Sequence, residues 1–274
     1  MSRLPIGRTL LLAGLGLTLA ACGSQPKRER PPSGDELDSG PATAVDVSRI
    51  PEPIPRVEPL SPYGNRSPYT VLGKNYTVLP SAKGYLERGI ASWYGNKFHG
   101  RPTSSREPYD MYQFTAAHRS LPLPTYARVT NLDNGQSVIV RVNDRGPFHD
   151  QRIIDLSYAA AQRIGIAARG TGLVEVRAID PADPEQDRAR PRPAIGPHRA
   201  YIQVGAFDDR DNAERFKHRL EQYALGRVFL DRFKKGGRVL HRVRIGPLAD
   251  AAAVDALAER LRALGFAAIA VTID

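Results

Sequence analysis

The chain has 274 residues, of which 41% are hydrophobic and 23 are prolines, and its net charge at pH 7 is +10. This length allows one or two domains with linkers. The positive charge is dispersed rather than gathered into a basic run, so the sequence does not support a nucleic-acid-binding protein. A polymer that carries scattered carboxylates fits such a charge distribution better.

The first residues have the features of an export signal. Arg3 and Arg8 precede an apolar segment, residues 10–19, that is too short to span a bilayer comfortably. The following Leu-Ala-Ala-Cys resembles the lipobox of bacterial lipoproteins. We therefore expect residues 1–21 to be a signal peptide and Cys22, the only cysteine, to carry the lipid that holds the protein on the periplasmic side of the outer membrane. The alternative is an ordinary secretory signal followed by a chance cysteine.

Residues 22–84 predict a tether that ends in a small hairpin. Segment 23–62 is rich in proline and charge, as in "PEPIPRVEPL", and such a composition favours a flexible or polyproline chain. The stretch "YTVLGKNYTVLP" (69–80) repeats Tyr-Thr-Val-Leu around Gly-Lys-Asn, a pattern typical of a β-hairpin.

Residues 85–180 predict one folded unit made mostly of strands. The stretches "GIASWYG", "TYARVTNL", "QSVIVRVN" and "LVEVRAI" alternate between apolar and polar residues, and "LSYAAAQRIG" predicts a short amphipathic helix that stops at Gly165. Many strands in fewer than a hundred residues favour a small closed β-barrel.

A second proline-rich linker, residues 181–198, leads to the last unit, residues 199–274. Its strands and helices follow the order βαββαβ, with Asp250 as the expected N-cap of the second helix. This order predicts a four-stranded antiparallel sheet with both helices on one face and the other face open to a ligand.

Two stretches carry a specific family resemblance. "GIASWYGNKFHGRPTSS" and "YDMYQFTAAHRSLPLPTYARVTNLDNGQSVIVRVNDRGPFHDQRIIDLSYAAAQRIG" resemble the double-psi β-barrel of the rare lipoprotein A family, and residues 199–274, with "YIQVGAF" and "HRVRIGPL", resemble a SPOR domain. The resemblance implies a septal lytic transglycosylase that cuts peptidoglycan strands without stem peptides and leaves 1,6-anhydromuramic acid. Proteins of the division machinery are then candidate partners.

Asp144 is the residue around which this chemistry is expected. It ends the strand 136–143 and precedes Arg145, Gly146 and Pro147, so its carboxylate either braces the turn or faces a substrate. The resemblance aligns it with the catalytic aspartate of the double-psi barrel. One carboxyl group can act first as acid and then as base in such a reaction, and burial in a groove would raise its pKa.

Three further residues fall in the matching motifs. The resemblance implies catalytic roles for Glu107 and His118, and Asp110 is a candidate substrate ligand or a structural cap. If Glu107 faces Asp144, repulsion raises the pKa of one of them. His118 could equally be a buried structural histidine. The family usually has glycine where this chain has Arg106, a costly substitution if that position requires a positive φ.

Aromatic and polar residues supply the remaining candidates. Trp93 and Tyr94 are candidate sugar ligands, but alternation along a strand lets at most one of them reach the groove. No zinc motif and no phosphate loop occurs, so neither a metal nor another cofactor is expected. In the C-terminal domain, alternation places Gln203, Arg242 and Arg244 on the open face, where arginine could bind the lactyl carboxylate of peptide-free muramic acid.

Two other functions compete with the enzyme. A non-catalytic, expansin-like lipoprotein could bind septal peptidoglycan and tie it to the outer membrane. The hypothesis that the βαββαβ unit binds RNA fails for two reasons. The predicted sheet face has no pair of aromatic residues of the kind that stacks on RNA bases, and the protein is expected to be exported.

Overall fold

A computed structural model describes residues 39–41, 46–149, 151–189, 193, 198–266 and 270–274. The predicted signal peptide and Cys22 lie outside the described residues. None of the helices in the described segments is long and apolar enough to cross a membrane.

The segment before the barrel contacts it at Ser39 and again from residue 46 onwards, whereas a flexible or polyproline tether was expected as far as residue 62. A 3-10 turn, Val47–Arg49, packs beside the barrel helix, and Arg163 donates to the carbonyl groups of Val47 (2.5 Å) and Ile50 (3.0 Å). Further along, the Glu58 carboxylate lies 2.8 Å from the guanidinium of Arg141. These polar contacts, together with Val47 and Ile50 packed against the barrel core, hold the segment in place.

The predicted hairpin is present as strands β1 (Tyr69–Val71) and β2 (Lys74–Tyr76). Its turn is formed by Leu72 (φ 49°) and Gly73 (φ 74°), one residue earlier than Gly-Lys-Asn suggested. Two successive positive φ values are the requirement of the tight turn that joins twisted antiparallel strands.

The middle unit is a closed barrel of six strands in the order β3-β7-β4-β6-β5-β8. The pairs β3–β7 and β4–β6 are parallel, and the other neighbours are antiparallel. The strands are β3 (Leu86–Tyr94), β4 (Thr115–His118), β5 (Thr125–Asn131), β6 (Ser137–Asp144), β7 (Arg152–Ser157) and β8 (Thr171–Ala178). This is the double-psi barrel that the resemblance implied, and its arrangement places β4 between β6 and β7.

Helix α1 (Tyr158–Arg163) closes the barrel core, as the pattern "LSYAAAQRIG" predicted. Ser157 caps its N-terminus by accepting a hydrogen bond from the backbone of Ala160, and its three alanines are buried. The core itself consists of inward-facing aliphatic residues from the strands, among them Val138, Val140 and Val142 of β6. The alternation along β6 therefore fixes which of its residues face the core.

The C-terminal domain has the predicted βαββαβ order. Its four-stranded antiparallel sheet runs β10-β11-β9-β12, and Asp250 caps the second helix by accepting from the backbone of Ala253. Its elements are β9 (Ala200–Phe207), α3 (Arg210–Glu221), β10 (Val228–Lys235), β11 (Arg238–Leu248), α4 (Ala251–Ala263) and β12 (Ala270–Ile273). Both helices contribute to one core with the sheet.

The stretch between barrel and C-terminal domain is not entirely extended. It contains helix α2 (Pro184–Ala189), where Asp187 pairs with Arg128 of β5 at 2.8 Å. The two domains also touch each other, because Arg152 of β7 lies 3.0 Å from Asp255 of α4. Leu173 of β8 belongs to the same apolar cluster as the C-terminal core.

Candidate functional site

Asp144 ends β6, and a neighbouring loop holds its carboxylate. Oδ1 accepts hydrogen bonds from the Ser104 backbone N–H (2.7 Å), the Ser104 hydroxyl (2.6 Å) and the Arg145 backbone N–H (2.7 Å). Oδ2 accepts none from any residue that the structure describes. The bond from Arg145 is the turn-bracing role considered above. Because bracing occupies only one oxygen, it is compatible with the substrate-facing role of Asp144, which stays a prediction.

The Arg145 side chain does not pair with Asp144. Its guanidinium instead donates hydrogen bonds to two other segments. The acceptors are the carbonyl groups of Gly64 (2.7 Å), His118 (3.0 Å) and Leu121 (2.5 Å) and Oδ1 of Asn65 (3.0 Å). Arginine suits this position because its donors are fixed in one plane. Sequence reasoning missed this residue as a brace of the site.

The loop that holds Asp144 is itself a small hairpin. The backbone of Tyr109 pairs with that of Arg101 at 2.8 Å, and the Thr103 N–H donates to the Glu107 carbonyl at 2.8 Å. Arg106 has φ 67°, so the position does require the left-handed conformation that the usual glycine provides. Its guanidinium lies 3.8 Å from the ring centroid of Tyr63, a cation–π contact that offsets part of the strain.

Glu107 has a different environment from the one expected. Arg141 (2.7 Å) and Asn143 (2.8 Å) both donate to its Oε2, and its side chain is 41% exposed. Burial opposes its ionisation, but the bonds from Arg141 and Asn143 outweigh burial and hold the pKa of the Glu107 carboxyl below its ordinary value. We expected that repulsion from Asp144 would raise the pKa of one of the two carboxyl groups. For Glu107 this expectation is wrong, because its pKa is lowered. Its participation in catalysis stays a prediction.

His118 is buried and hydrogen-bonded through both ring nitrogens. It is only 2% exposed, and its Nδ1 accepts from the backbone N–H groups of Ser120 (3.1 Å) and Leu121 (3.0 Å). The proton is therefore on Nε2, which faces the Tyr85 hydroxyl at 2.8 Å. Burial, with the charges of Arg119 and Arg145, lowers the pKa of His118 to about 3. Both ring nitrogens are occupied in this structure, and the catalytic role of His118 stays a prediction.

Asp155 of β7 is a second carboxyl group that sequence reasoning missed. The Ser92 hydroxyl donates to its Oδ1, and the residue lines a cavity of about 360 Å³ together with Trp93 and Tyr94. Burial raises the pKa of the Asp155 carboxyl, and the negative charge of Asp144 raises it further. The available signal was an acid inside the otherwise apolar run of "RIIDL".

Asp144 and Asp155 flank the same residue. Ala117 of β4 is the register partner of Asp144 on one side and of Asp155 on the other. Two strand spacings separate their Cα atoms by roughly 10 Å. The backbone after Asp144 passes close to Asp155, since a Cβ on Gly146 would lie 3.8 Å from Asp155 Oδ2. Pairs of carboxyl groups in unequal environments are the usual basis of acid and base roles.

The predicted sugar ligands border the Asp155 cavity. Trp93 and Tyr94 both line it, although alternation suggested that only one would. Tyr94 is buried and stacks on Tyr109 with ring centroids 4.1 Å apart, whereas Trp93 is half-buried and its indole donates to Ala167. Asp110 caps a turn, accepting from the Tyr112 backbone at 2.9 Å.

The arginines predicted for the open sheet face are already paired. Arg244 is 7% exposed and contacts Asp274 (2.8 Å) and Asp231 (2.7 Å), and Arg242 contacts Asp231 at 3.0 Å. Gln203, the register partner of Arg244, is half-buried. A lactyl carboxylate would have to displace these aspartates, and glycan binding by Gln203, Arg242 and Arg244 stays a prediction. The described residues contain no group of His, Cys, Asp or Glu side chains that could hold a metal ion.

Comparisons with known proteins match both domains. Residues 86–177 match the family model for lytic transglycolases, and residues 196–272 match the SPOR domain model. The chain is 39% identical to an endolytic peptidoglycan transglycosylase RlpA of Pseudomonas aeruginosa over 92% of each chain, and 41% identical to the RlpA of Vibrio cholerae over 84% of each. The crystal structure of the RlpA SPOR domain from P. aeruginosa is 32% identical, covers 27% of this chain and 96% of its own, and has a TM-score of 0.25.

Proposed function

This chain belongs to the RlpA family of endolytic peptidoglycan transglycosylases, and we propose that it cuts peptidoglycan strands without water to leave 1,6-anhydromuramic acid ends. The observation that carries the proposal is the pair of carboxyl groups, Asp144 and Asp155, on either side of Ala117. Family membership favours an enzyme over the non-catalytic tether.

The reaction needs one proton delivered and one removed. The glycosidic oxygen must be protonated as its bond to the anomeric carbon of muramic acid breaks. The hydroxymethyl oxygen of the same sugar then bonds to that carbon and loses its proton. The raised pKa of Asp155 suits it to deliver the first proton, and the open Oδ2 of Asp144 suits it to accept the second. Exchange with solvent restores both groups.

The second part of the proposal concerns the substrate. Removal of the stem peptide leaves a lactyl carboxylate on each muramic acid, and both domains are net basic. Residues 85–180 carry 12 basic and 9 acidic side chains (+3), and residues 199–274 carry 14 and 10 (+4). Opposite charges attract across distances up to about the Debye length, so peptide-free strands are favoured over a neutral polymer.

The test compares the full chain with three variants on amidase-treated and untreated peptidoglycan. Asp144→Asn and Asp155→Asn each remove a carboxyl group from the pair. Asp133→Asn is the matched control, because Asp133 pairs with Arg169 at the barrel surface and lines neither the Asp155 cavity nor the Asp144 loop. Mass spectrometry counts new 1,6-anhydro ends.

We expect the unmodified chain to produce anhydro ends from treated peptidoglycan. Asp133→Asn should produce as many, and Asp144→Asn and Asp155→Asn should each produce fewer by a factor of at least about 100. Full activity in Asp155→Asn would leave Asp144 to act alone as acid and base. Glycan binding without any new ends in the unmodified chain would refute the enzymatic proposal and support the tether.

We also propose that the protein is held in the outer membrane by lipid on Cys22 and acts at the division septum. Support comes from the lipobox-like sequence and from the SPOR match. Membrane fractionation and imaging of the chain and its Cys22→Ser variant test this. The variant should leave the membrane fraction, and an unchanged distribution would exclude the lipid anchor.

A further inference from the structure

The hairpin β1–β2 is held firmly against the barrel, although it lies outside the segment that matches the lytic transglycolase model. The Tyr69 hydroxyl donates to the Arg119 carbonyl at 2.7 Å, and the Leu79 N–H donates to the Ser120 carbonyl at 2.7 Å. The Tyr69 and Tyr76 rings stack with centroids 5.4 Å apart. These bonds make the hairpin a fixed wall beside the 118–121 loop.

This wall borders a cavity of about 310 Å³. Its lining includes Tyr69, Val71, Ser104 and Phe148. Ser104 is the residue that holds Asp144, so the cavity begins next to the reacting carboxylate. Phe148 also lines the Asp155 cavity, so it is shared by the two cavities.

The charge of this cavity is positive. Arg66 and Arg145 line it, and none of the described residues that line it is acidic. The Arg145 guanidinium makes four hydrogen bonds to backbone and amide oxygens. Arg66 is exposed and forms no ion pair within the segments that the structure describes. An available guanidinium beside aromatic and aliphatic walls is suited to a sugar that carries a carboxylate.

We infer that this hairpin cavity is a binding subsite for one muramic acid residue of a peptide-free strand. Arg66 binds the lactyl carboxylate of that residue, and the side of the cavity formed by Tyr69 and Phe148 contacts its sugar ring. The inference rests on the proposed function for the identity of the polymer. It gives the N-terminal segment a role in choosing substrate, because a stem peptide amide-linked to that lactyl group would remove the charge that Arg66 recognises.

Trp93 makes the subsite measurable, because it is the only tryptophan of the chain and it lines the adjoining cavity. A glycan that occupies the groove excludes water from the indole and changes its emission, whereas binding to the C-terminal sheet face leaves the Trp93 cavity empty. The full chain with Asp144→Asn would be titrated with peptide-free oligosaccharides of alternating glucosamine and muramic acid. Chitin oligosaccharides of equal length provide the ligand without carboxylates.

Adding Arg66→Gln should raise the Kd for the muramic acid oligosaccharides about tenfold, which is about 1.4 kcal/mol, and Arg66→Glu should raise it further. Neither change should alter the Kd for chitin oligosaccharides. Lys83→Gln is the matched control, since Lys83 is an exposed cation of the same segment outside the cavity, and it should have no effect.

Equal Kd values for Arg66→Gln and Lys83→Gln would overturn the inference, and so would equal losses for both kinds of oligosaccharide. If calorimetry shows that the oligosaccharides bind but Trp93 emission does not change, they bind at another site, and this result would also overturn the inference. Because the titration measures binding in a variant that lacks the Asp144 carboxylate, its result is independent of whether the unmodified chain produces anhydro ends.

Discussion

Replacing Glu58 by Gln tests whether the segment before the barrel is part of the folded unit. The Glu58 carboxylate accepts from Arg141 at 2.8 Å and from the Tyr126 hydroxyl, and its side chain is 16% exposed. Arg141 also holds Glu107, so one guanidinium joins the segment to the loop that carries Ser104. The substitution keeps the shape of the side chain and removes its charge.

The size of the effect follows from the pKa of Glu58. The hydrogen bond from Arg141, against the opposing effect of burial, lowers this pKa from 4.5 to about 2. At about 1.4 kcal/mol per pKa unit this corresponds to roughly 3 kcal/mol, and screening by water at the barrel surface reduces it to about 1–2 kcal/mol. Because the folded-state pKa is the lower one, this stabilisation is present above pH 4.5 and is lost as the pH falls from 4.5 towards 2.

Thermal unfolding of the two proteins would be compared at pH 7 and at pH 2.5. At pH 7 we expect Glu58→Gln to lower the Tm by about 3–6 °C, and at pH 2.5 we expect most of the difference to vanish. Glu52→Gln is the control, because Glu52 lies in the same segment and forms no ion pair with a described residue. A Tm difference that is equal at both pH values, or absent at pH 7, would refute the reasoning.

Three further predictions concern the residues that the structure reinterpreted. Arg106→Gly should change the free energy of unfolding, measured in urea, by less than about 1 kcal/mol, because relief of the positive φ offsets loss of the Tyr63 contact. Arg106→Ala should lower the free energy of unfolding by about 0.5–1 kcal/mol in the same assay. His118→Ala should cost about 2–4 kcal/mol in the same assay, because two buried N–H groups lose their acceptor, while kcat per folded molecule stays the same. A large loss of kcat without loss of stability would support the catalytic hypothesis instead. Arg244→Met should destabilise the C-terminal domain by about 1–2 kcal/mol, because the partners Asp231 and Asp274 keep contact with water, whereas Arg242→Gln should cost less than about 1 kcal/mol. Equal stability of the two variants would contradict this difference.

The features that sequence reasoning predicted are local. The βαββαβ order, the cap at Asp250 and helix α1 each depend on residues a few positions apart, and the structure confirms them. Strand β4 was missed because "TAAH" is four residues long, contains two alanines and shows no clear alternation. Asp144 could be placed at a strand end for the same local reason.

The features that were missed depend on the closure of the barrel. Asp155 approaches Asp144 only because β4 lies between β6 and β7, and no spacing along the chain indicates this. Glu107 meets Arg141, rather than Asp144, because its loop folds back along β6. Arg244 is neutralised by Asp274, thirty positions away and at the end of the sequence. Each of these pairings decides whether a side chain is available to a substrate.

The docking of the N-terminal segment also limits how far the enzyme can reach. The Ser39 carbonyl accepts from the Asn96 backbone at 2.9 Å, close to Trp93, so the chain is attached to the barrel there. From Cys22 to Ser39 is 39 − 22 = 17 residues, which span at most about 60 Å. A tether free to residue 62 would have spanned up to about 140 Å over 62 − 22 = 40 residues. If Cys22 carries the proposed lipid, Ser39 would stay within about 60 Å of the membrane surface, and only glycan strands near that surface would be within reach of the barrel.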